Sequence, residues 1–234
     1  LTSVPTKWRN PIKRPGDAVR VGKEFDERRQ EKMPTEAALD ALPKVFRLAT
    51  EPVDILVSSV AAILCSAPDR INEALILPDL CEVHQSVGKD KADAYGLRWW
   101  PAKGADPMVK WIVPSMVSVV EEAIGKIRSV THEARQIAKW YEEHPSNIYL
   151  HAGVEHLREV EWLTMLEVAS TIGVANASSA ASWCTSRGLE LKGRGASKMV
   201  RFLDVEAVVI AMLPAGFPFL EKATGLRYSE ALLI

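Results

Sequence analysis

Between Tyr95 and Pro114 the hydrophobic pattern of this chain changes its period, and that change constrains the fold more than any other feature. Tyr95, Leu97 and Trp99 alternate with other residues, and so do Val109, Trp111 and Val113. Lys103-Gly104-Ala105-Asp106-Pro107 lies between the two runs. Successive side chains of a strand point to opposite faces, so alternation around a Gly/Pro-containing turn predicts a β-hairpin. Elsewhere the apolar residues recur at helical spacing. The expected class is therefore mainly α with a small antiparallel β-sheet.

The helical stretches have recognisable starts and stops. Residues 1–33 are polar, basic and Pro-containing, with no sustained period, and read as a linker or arm. After Pro34, Thr35 can cap a helix on which Leu39, Leu42, Val45, Phe46 and Ala49 recur. Pro52 to Ser66 reads as a largely apolar, buried helix, and Arg70 to Leu77 as an amphipathic one beyond the Ala67-Pro68-Asp69 break. Pro114 to Val130 and Thr131 to Glu143 read as two successive helices. No internal repeats stand out.

Composition narrows function only a little. Of 234 residues, 29 are Lys or Arg and 30 are Asp or Glu, a formal net charge of -1. Global charge therefore argues neither for nor against a nucleic-acid partner. Local charge says more: Leu1 to Lys32 holds nine basic against five acidic residues, and Arg187 to Asp204 five against two. Cys65, Cys81 and Cys184 are odd in number and widely spaced, which points to a reduced, cytoplasmic protein without a disulfide framework or cysteine-based metal site. The longest apolar run, Ile55 to Ala67, is interrupted by Ser58 and Ser59 and is too short for a bilayer span. No cofactor or metal is implied.

Residues 160–203 read as a helix-turn-helix. Leu163 to Thr171 is helical, Ile172-Gly173-Val174 is a turn, and a second helix runs over Ser178 to Ser186 after starting near Ala177. Leu189-Glu190-Leu191 and Met199-Val200-Arg201-Phe202 are expected to pair as a two-stranded wing. Asp204 is expected to cap a helix reaching Met212. The Trp183 to Gly188-Leu189 spacing resembles MerR-type winged modules. That resemblance makes Ser178, Ser179 and Ser182 donors to phosphates or base edges, with Lys192, Arg194, Lys198 and Arg201 on a backbone-touching wing. A packed helical hairpin without a ligand is the alternative.

Arg70-Ile71-Asn72-Glu73-Ala74-Leu75-Ile76-Leu77-Pro78-Asp79-Leu80 resembles the first box of the tyrosine recombinases, the phage-integrase family. The order of elements resembles it too: a helical layer, the Arg, strands with a Lys at a hairpin turn, then a helix. Asp69 stands where that family usually has Gly. The resemblance implies that Arg70 clamps the scissile phosphate, that Glu73 supports it, and that Lys103 protonates the leaving oxygen. It divides the chain into a basic arm (1–33), a partial integrase-like catalytic domain (34–155), an inserted helix-turn-helix (156–213) and a return segment (214–234).

The family's His-x-x-Arg and nucleophilic Tyr have no match; Glu155-His156-Leu157-Arg158 has the wrong spacing, and Tyr228 reads as a packing residue at a helix start. The expected function is thus that of a DNA-binding part of a site-specific recombinase from a bacterial or phage-derived mobile element. Double-stranded DNA is the expected partner, with self-association on it and no membrane. The alternatives are a non-catalytic DNA-binding regulator reading through residues 160–203, and a helical domain with no nucleic-acid role.

Overall fold

The computed structural model describes residues 22–67, 70–87, 92–101 and 106–234. It is a mixed α and β structure whose sheets are small and antiparallel. Its contacts divide the chain between Leu48 and Ala49.

The first unit holds two helices, α1 (Lys23–Gln30) and α2 (Glu36–Leu48). Within the segment 1–33, whose sequence has no sustained period, Lys23–Gln30 is helical. Glu24 and Asp26 in the first turn and Arg28 and Arg29 in the last complement the helix dipole, although no residue of α1 is buried. Thr35 caps α2 as expected, its Oγ1 accepting from the Ala38 amide at 3.2 Å. Of the apolar residues that marked α2, Phe46 is buried and Ala49 half-buried, whereas Leu39, Leu42 and Val45 stay exposed.

The second unit begins with α3 (Pro52–Ser66) and the short α4 (Ile71–Leu75). Pro52 opens α3 because its fixed φ suits a first helical turn and its missing N–H is not needed there. The buried Ser58 hydroxyl donates to the Asp54 carbonyl at 2.6 Å, so a polar group inside an apolar helix is satisfied by its own backbone.

A three-stranded sheet follows, built from β1 (Glu82–Val87), β2 (Ala92–Trp99) and β3 (Met108–Trp111) in the order β1-β2-β3. The hairpin read from the alternating period is present, with Gly96 opposite Trp111 and Trp99 opposite Met108. Tyr95, Leu97 and Trp99 form its buried face. Gly96 is required by close approach: a Cβ there would lie 2.8 Å from the Lys110 carbonyl and from the Val109 and Trp111 side chains. β1 was not read from sequence, because Glu82, His84, Gln85 and Ser86 give it a polar composition; only pairing with β2 makes it a strand.

Residues 117–143 form one helix, α5 (Val117–Glu143), rather than two. Thr131, the expected start of the second, does not cap anything. Its Oγ1 donates to the Ile127 carbonyl at 2.7 Å, and the helix runs through. At 27 residues it is about 40 Å long. It packs along α3 and buries Val120, Ala123, Ile124 and Ile127.

Beyond α5 come β4 (Trp162–Thr164), α6 (Met165–Ile172), α7 (Ala177–Ser186), β5 (Met199–Arg201) and α8 (Phe202–Ala211). The hairpin β6 (Phe219–Glu221) and β7 (Leu226–Arg227) then leads to a 3-10 turn over Tyr228–Glu230, where the sequence suggested a helix.

The last residues return to the front of this unit. The Asp79 amide donates to the Glu230 carbonyl and the Leu232 amide to the Leu77 carbonyl, both at 2.8 Å. This pairing joins residues 77–79 to residues 230–232; a short Arg-x-x-Glu-Ala-Leu sequence precedes the first at 70–75 and contains the second at 227–232, so it occurs in two copies. In each copy the Glu carboxylate accepts from the amide of its Arg, at 3.3 and 3.2 Å.

A charged network locks this return. Arg128 donates through Nε to Asp79 at 3.0 Å and also binds Glu82 and the Asp79 carbonyl. Arg135, almost fully buried, donates to the carbonyls of Leu232 (3.3 Å) and Arg128 (3.0 Å) and to the Thr131 hydroxyl. Burial alone would lower the Arg128 pKa, but hydrogen bonds and charge from Glu82 and Asp79 outweigh it and raise the pKa. Tyr95 donates its hydroxyl to Glu82 at 2.7 Å, and burial first, then this bond, holds its pKa far above the usual phenol value. Burial likewise pushes the Cys81 thiol up to about 12 despite Arg128 nearby, which keeps it protonated in the core.

Candidate nucleic-acid interface

The region over residues 160–203 is assembled by local signals that the sequence displays openly. Thr164 ends β4 and caps α6. Its hydroxyl accepts from the Glu167 amide at 3.3 Å, while the Glu167 carboxylate accepts from the Thr164 amide at 2.7 Å. This reciprocal capping box satisfies two amides that no helical carbonyl can reach. Gly173 ends α6 in the left-handed region with φ 70°, and the Val174 amide donates back to the Ala169 carbonyl at 3.0 Å. Asn176 then caps α7, its side chain accepting from the Ser179 amide at 2.9 Å. The second helix starts at Ala177, where the sequence placed it.

Gly173 yields a clean test. A Cβ built there meets nothing within 4 Å, so a side chain would be penalised only by its backbone conformation. Gly173→Val is expected to lower stability by about 1–2 kcal/mol, the cost of the left-handed region for a residue with a Cβ. Gly173→Asn is expected to be milder, since Asn visits that region more readily. Thermal or urea unfolding checks both.

The interior of the unit is apolar. Leu163, Val168, Ala169, Ala180, Cys184, Val200, Phe202 and Val205 share one buried cluster, with Trp183 packed at its margin. The small Ala169 and Ala180 belong to this core, in which α6 and α7 are in contact.

The wing differs from its expected form. Leu189–Leu191 is not a strand; a single bridge joins Lys192 to Met199, and β5 takes its ladder from β4 instead. Gly193 and Gly195 have φ of 93° and 57°, and a 3-10 turn at Gly195–Ser197 takes the intervening loop out of any ladder. Asp204 is not the cap of α8, which begins at Phe202; it lies in the first turn, where its charge favours the helix N-terminus.

The surface of this unit is polar and basic. Ser178, Ser179 and Ser182 are exposed on α7, as are Thr185 and Ser186. Lys192, Arg194 and Arg201 are exposed and Lys198 is half-buried. Among the described residues, Lys192, Arg194 and Lys198 form no ion pair, and Arg201 has a long one to Glu161 at 3.7 Å. Aromatic faces hold several of these cations: Arg187 lies 4.5 Å from the Trp183 ring centroid and Lys192 4.9 Å from that of Trp162. Trp162 was not singled out in the sequence; its role depends on β4 pairing with β5, which no local pattern announces.

Arg70 stands at the start of α4, with its side chain 60% exposed and 3.6 Å from the buried Glu73 carboxylate. It was expected to be partly buried. Its place before the first helical turn sends the side chain outward, and Glu73 is the buried partner. Lys103, expected to share one surface with Arg70, lies outside the described residues. Arg227, in the second copy of the motif, instead binds Glu142 at 3.3 Å. Arg158 donates to the Ile148 carbonyl at 2.8 Å and faces Glu206 at 3.6 Å, and Tyr228 stacks on Phe217 at 5.8 Å.

Among the described residues no group of His, Cys, Asp and Glu is arranged to hold a metal ion, and no helix is long and apolar enough to cross a membrane. No protein-family model, curated protein or solved structure matches the chain.

Proposed function

We propose that this protein binds double-stranded DNA through residues 162–211, with α7 as the groove-facing helix and the 192–201 segment as a phosphate-contacting wing. The observation that carries this reading is the unpaired wing charge: Lys192, Arg194 and Lys198 have no acidic partner, while the hydroxyl face of α7 is free of carboxylates. Serine hydroxyls donate and accept, so they suit base edges and phosphates alike. They discriminate between bases weakly, so affinity is expected to be dominated by the phosphate backbone.

A second reading places this activity in a tyrosine-recombinase catalytic domain, supported by Arg70 at the start of α4, buttressed by Glu73 and followed by the β1-β2-β3 sheet. In that setting Arg70 would clamp the scissile phosphate with a planar, charged fork.

One titration tests both. Binding of a labelled duplex should weaken with salt, with a slope of log K on log salt of about -3 to -4 if Lys192, Arg194, Lys198 and Arg201 each neutralise one phosphate. Replacing all of them with Ala should remove most of that slope and nearly all of the affinity. Arg70→Ala should leave the slope unchanged if residues 162–211 are the sole reader, whereas a loss there would favour the recombinase reading. A slope untouched by the wing substitutions would sink the main proposal.

A further inference from the structure

Trp162 opens β4 directly across from Arg201 on β5. Its ring serves two cations from different parts of the chain. The Lys192 ammonium lies 4.9 Å from the ring centroid and the Arg201 guanidinium carbon 5.9 Å from it. Each is drawn to the negative face of the indole, which is the strongest of the aromatic side chains for this purpose. Like charges repel, so two cations gathered on one ring raise the local positive potential unless an acid offsets them. Lys192 has no such acid among the described residues. Arg201 faces Glu161 at 3.7 Å, but both side chains are more than half exposed, and solvent screens such a pair strongly.

The backbones that carry both charges are tied to one another. Lys192 sits at the one bridge that ties the wing loop to β5, and Arg201 is the last residue of that strand. Long basic side chains ordinarily lose much rotamer freedom when they grip an anion; two that already rest on a ring lose less.

We propose that Trp162, Lys192 and Arg201 form a two-point grip for backbone phosphates on one DNA strand. Lys192 and Arg201 make the contacts, and Trp162 is the positioning residue beneath them. This rests on the DNA-binding reading of the unit and names its anchoring contact. The occupant is a phosphodiester rather than a base, because both donors are cations and carry no acceptor with which to read a base edge.

The test is a mutant cycle on the full chain, read by fluorescence anisotropy with a labelled duplex across a salt series. The Lys192→Ala/Arg201→Ala double variant should reduce the salt slope by about 2, one unit per phosphate. Trp162→Leu keeps an apolar body without a π face and should weaken binding about five- to tenfold, as expected for two cation–ring contacts. Trp162→Phe keeps a weaker face and should weaken binding about two- to threefold. Both losses should vanish when the same changes are made in the double-alanine background. Melting temperatures show whether each variant is folded, and Trp162→Phe carries the cycle if the Leu variant is not.

A loss that persists undiminished in the double-alanine background overturns the grip and leaves Trp162 a packing residue. Binding unaffected by either Trp162 variant overturns it too. A wild-type chain that does not bind duplex at all removes the DNA reading itself, and this inference with it.

Discussion

Arg135→Met is expected to lower the free energy of unfolding by about 2–4 kcal/mol, among the largest effects of any single substitution outside the apolar core. The replacement keeps an unbranched side chain and removes the charge. Its guanidinium is buried and donates to the Leu232 and Arg128 carbonyls and the Thr131 hydroxyl, and it approaches Asp79 at 3.7 Å. The Leu232 carbonyl would keep only the Thr131 hydroxyl at 3.0 Å, and Asp79 would keep only Arg128. The damage should concentrate on residues 228–234, which reach α5 and Leu77–Asp79 through these bonds. Hydrogen exchange of the Leu232 amide, which donates to Leu77, should accelerate more than that of amides in β2. Arg227→Ala is the comparison: Arg227 bonds Glu142 at 3.3 Å from a half-exposed position, and the nearly buried Glu142 carboxylate keeps the Ser229 amide, so the loss should be smaller than for Arg135→Met. Equal stability of Arg135→Met and wild type in urea would show that the network is held by Arg128 alone.

Leu163→Ala should be at least as costly, at about 2–5 kcal/mol, the range for a fully buried leucine whose site cannot collapse. Leu163 is the central residue of β4, opposite the equally buried Val200, and is part of the core shared by α6, α7 and α8. A cavity there loosens both the ladder that carries Arg201 and the packing that supports α7. The expected result is a lower denaturant midpoint together with weaker duplex binding at temperatures where the unit is partly open. Leu166 on α6 is exposed, and Leu166→Ala should change stability little, so the pair contrasts a buried leucine with an exposed one. Equal midpoints for the two variants would contradict the assigned core.

The sequence by itself determined the elements whose causes are local. Thr164 and Glu167 fix the start of α6, Gly173 its end, and Asn176 the start of α7, because each satisfies or redirects backbone groups within a few residues. The period-two run at Tyr95, Leu97 and Trp99 gave β2 and its hairpin for the same reason. What was misread also has a physical cause. Thr131 has the chemistry of a helix cap, but a hydroxyl can equally bond the carbonyl one turn back, and nothing local decides between them.

Only the tertiary structure decided the rest. β1 is a strand because β2 lies beside it, and β5 pairs with β4 rather than with the wing segment that precedes it. The two Arg-x-x-Glu-Ala-Leu copies share the bond from the Arg amide to the Glu carboxylate, yet one opens an α-helix and the other a 3-10 turn, and Arg70 remains exposed against its own Glu73 while Arg227 reaches Glu142 on α5. The grip at Trp162 and the bond from Arg135 to Leu232, 97 residues apart, likewise join groups that carry no mark of each other in the sequence. Capping and period act over one or two turns, whereas a charge finds its partner only when packing has brought distant backbone within a few ångströms and excluded the water that would otherwise solvate it.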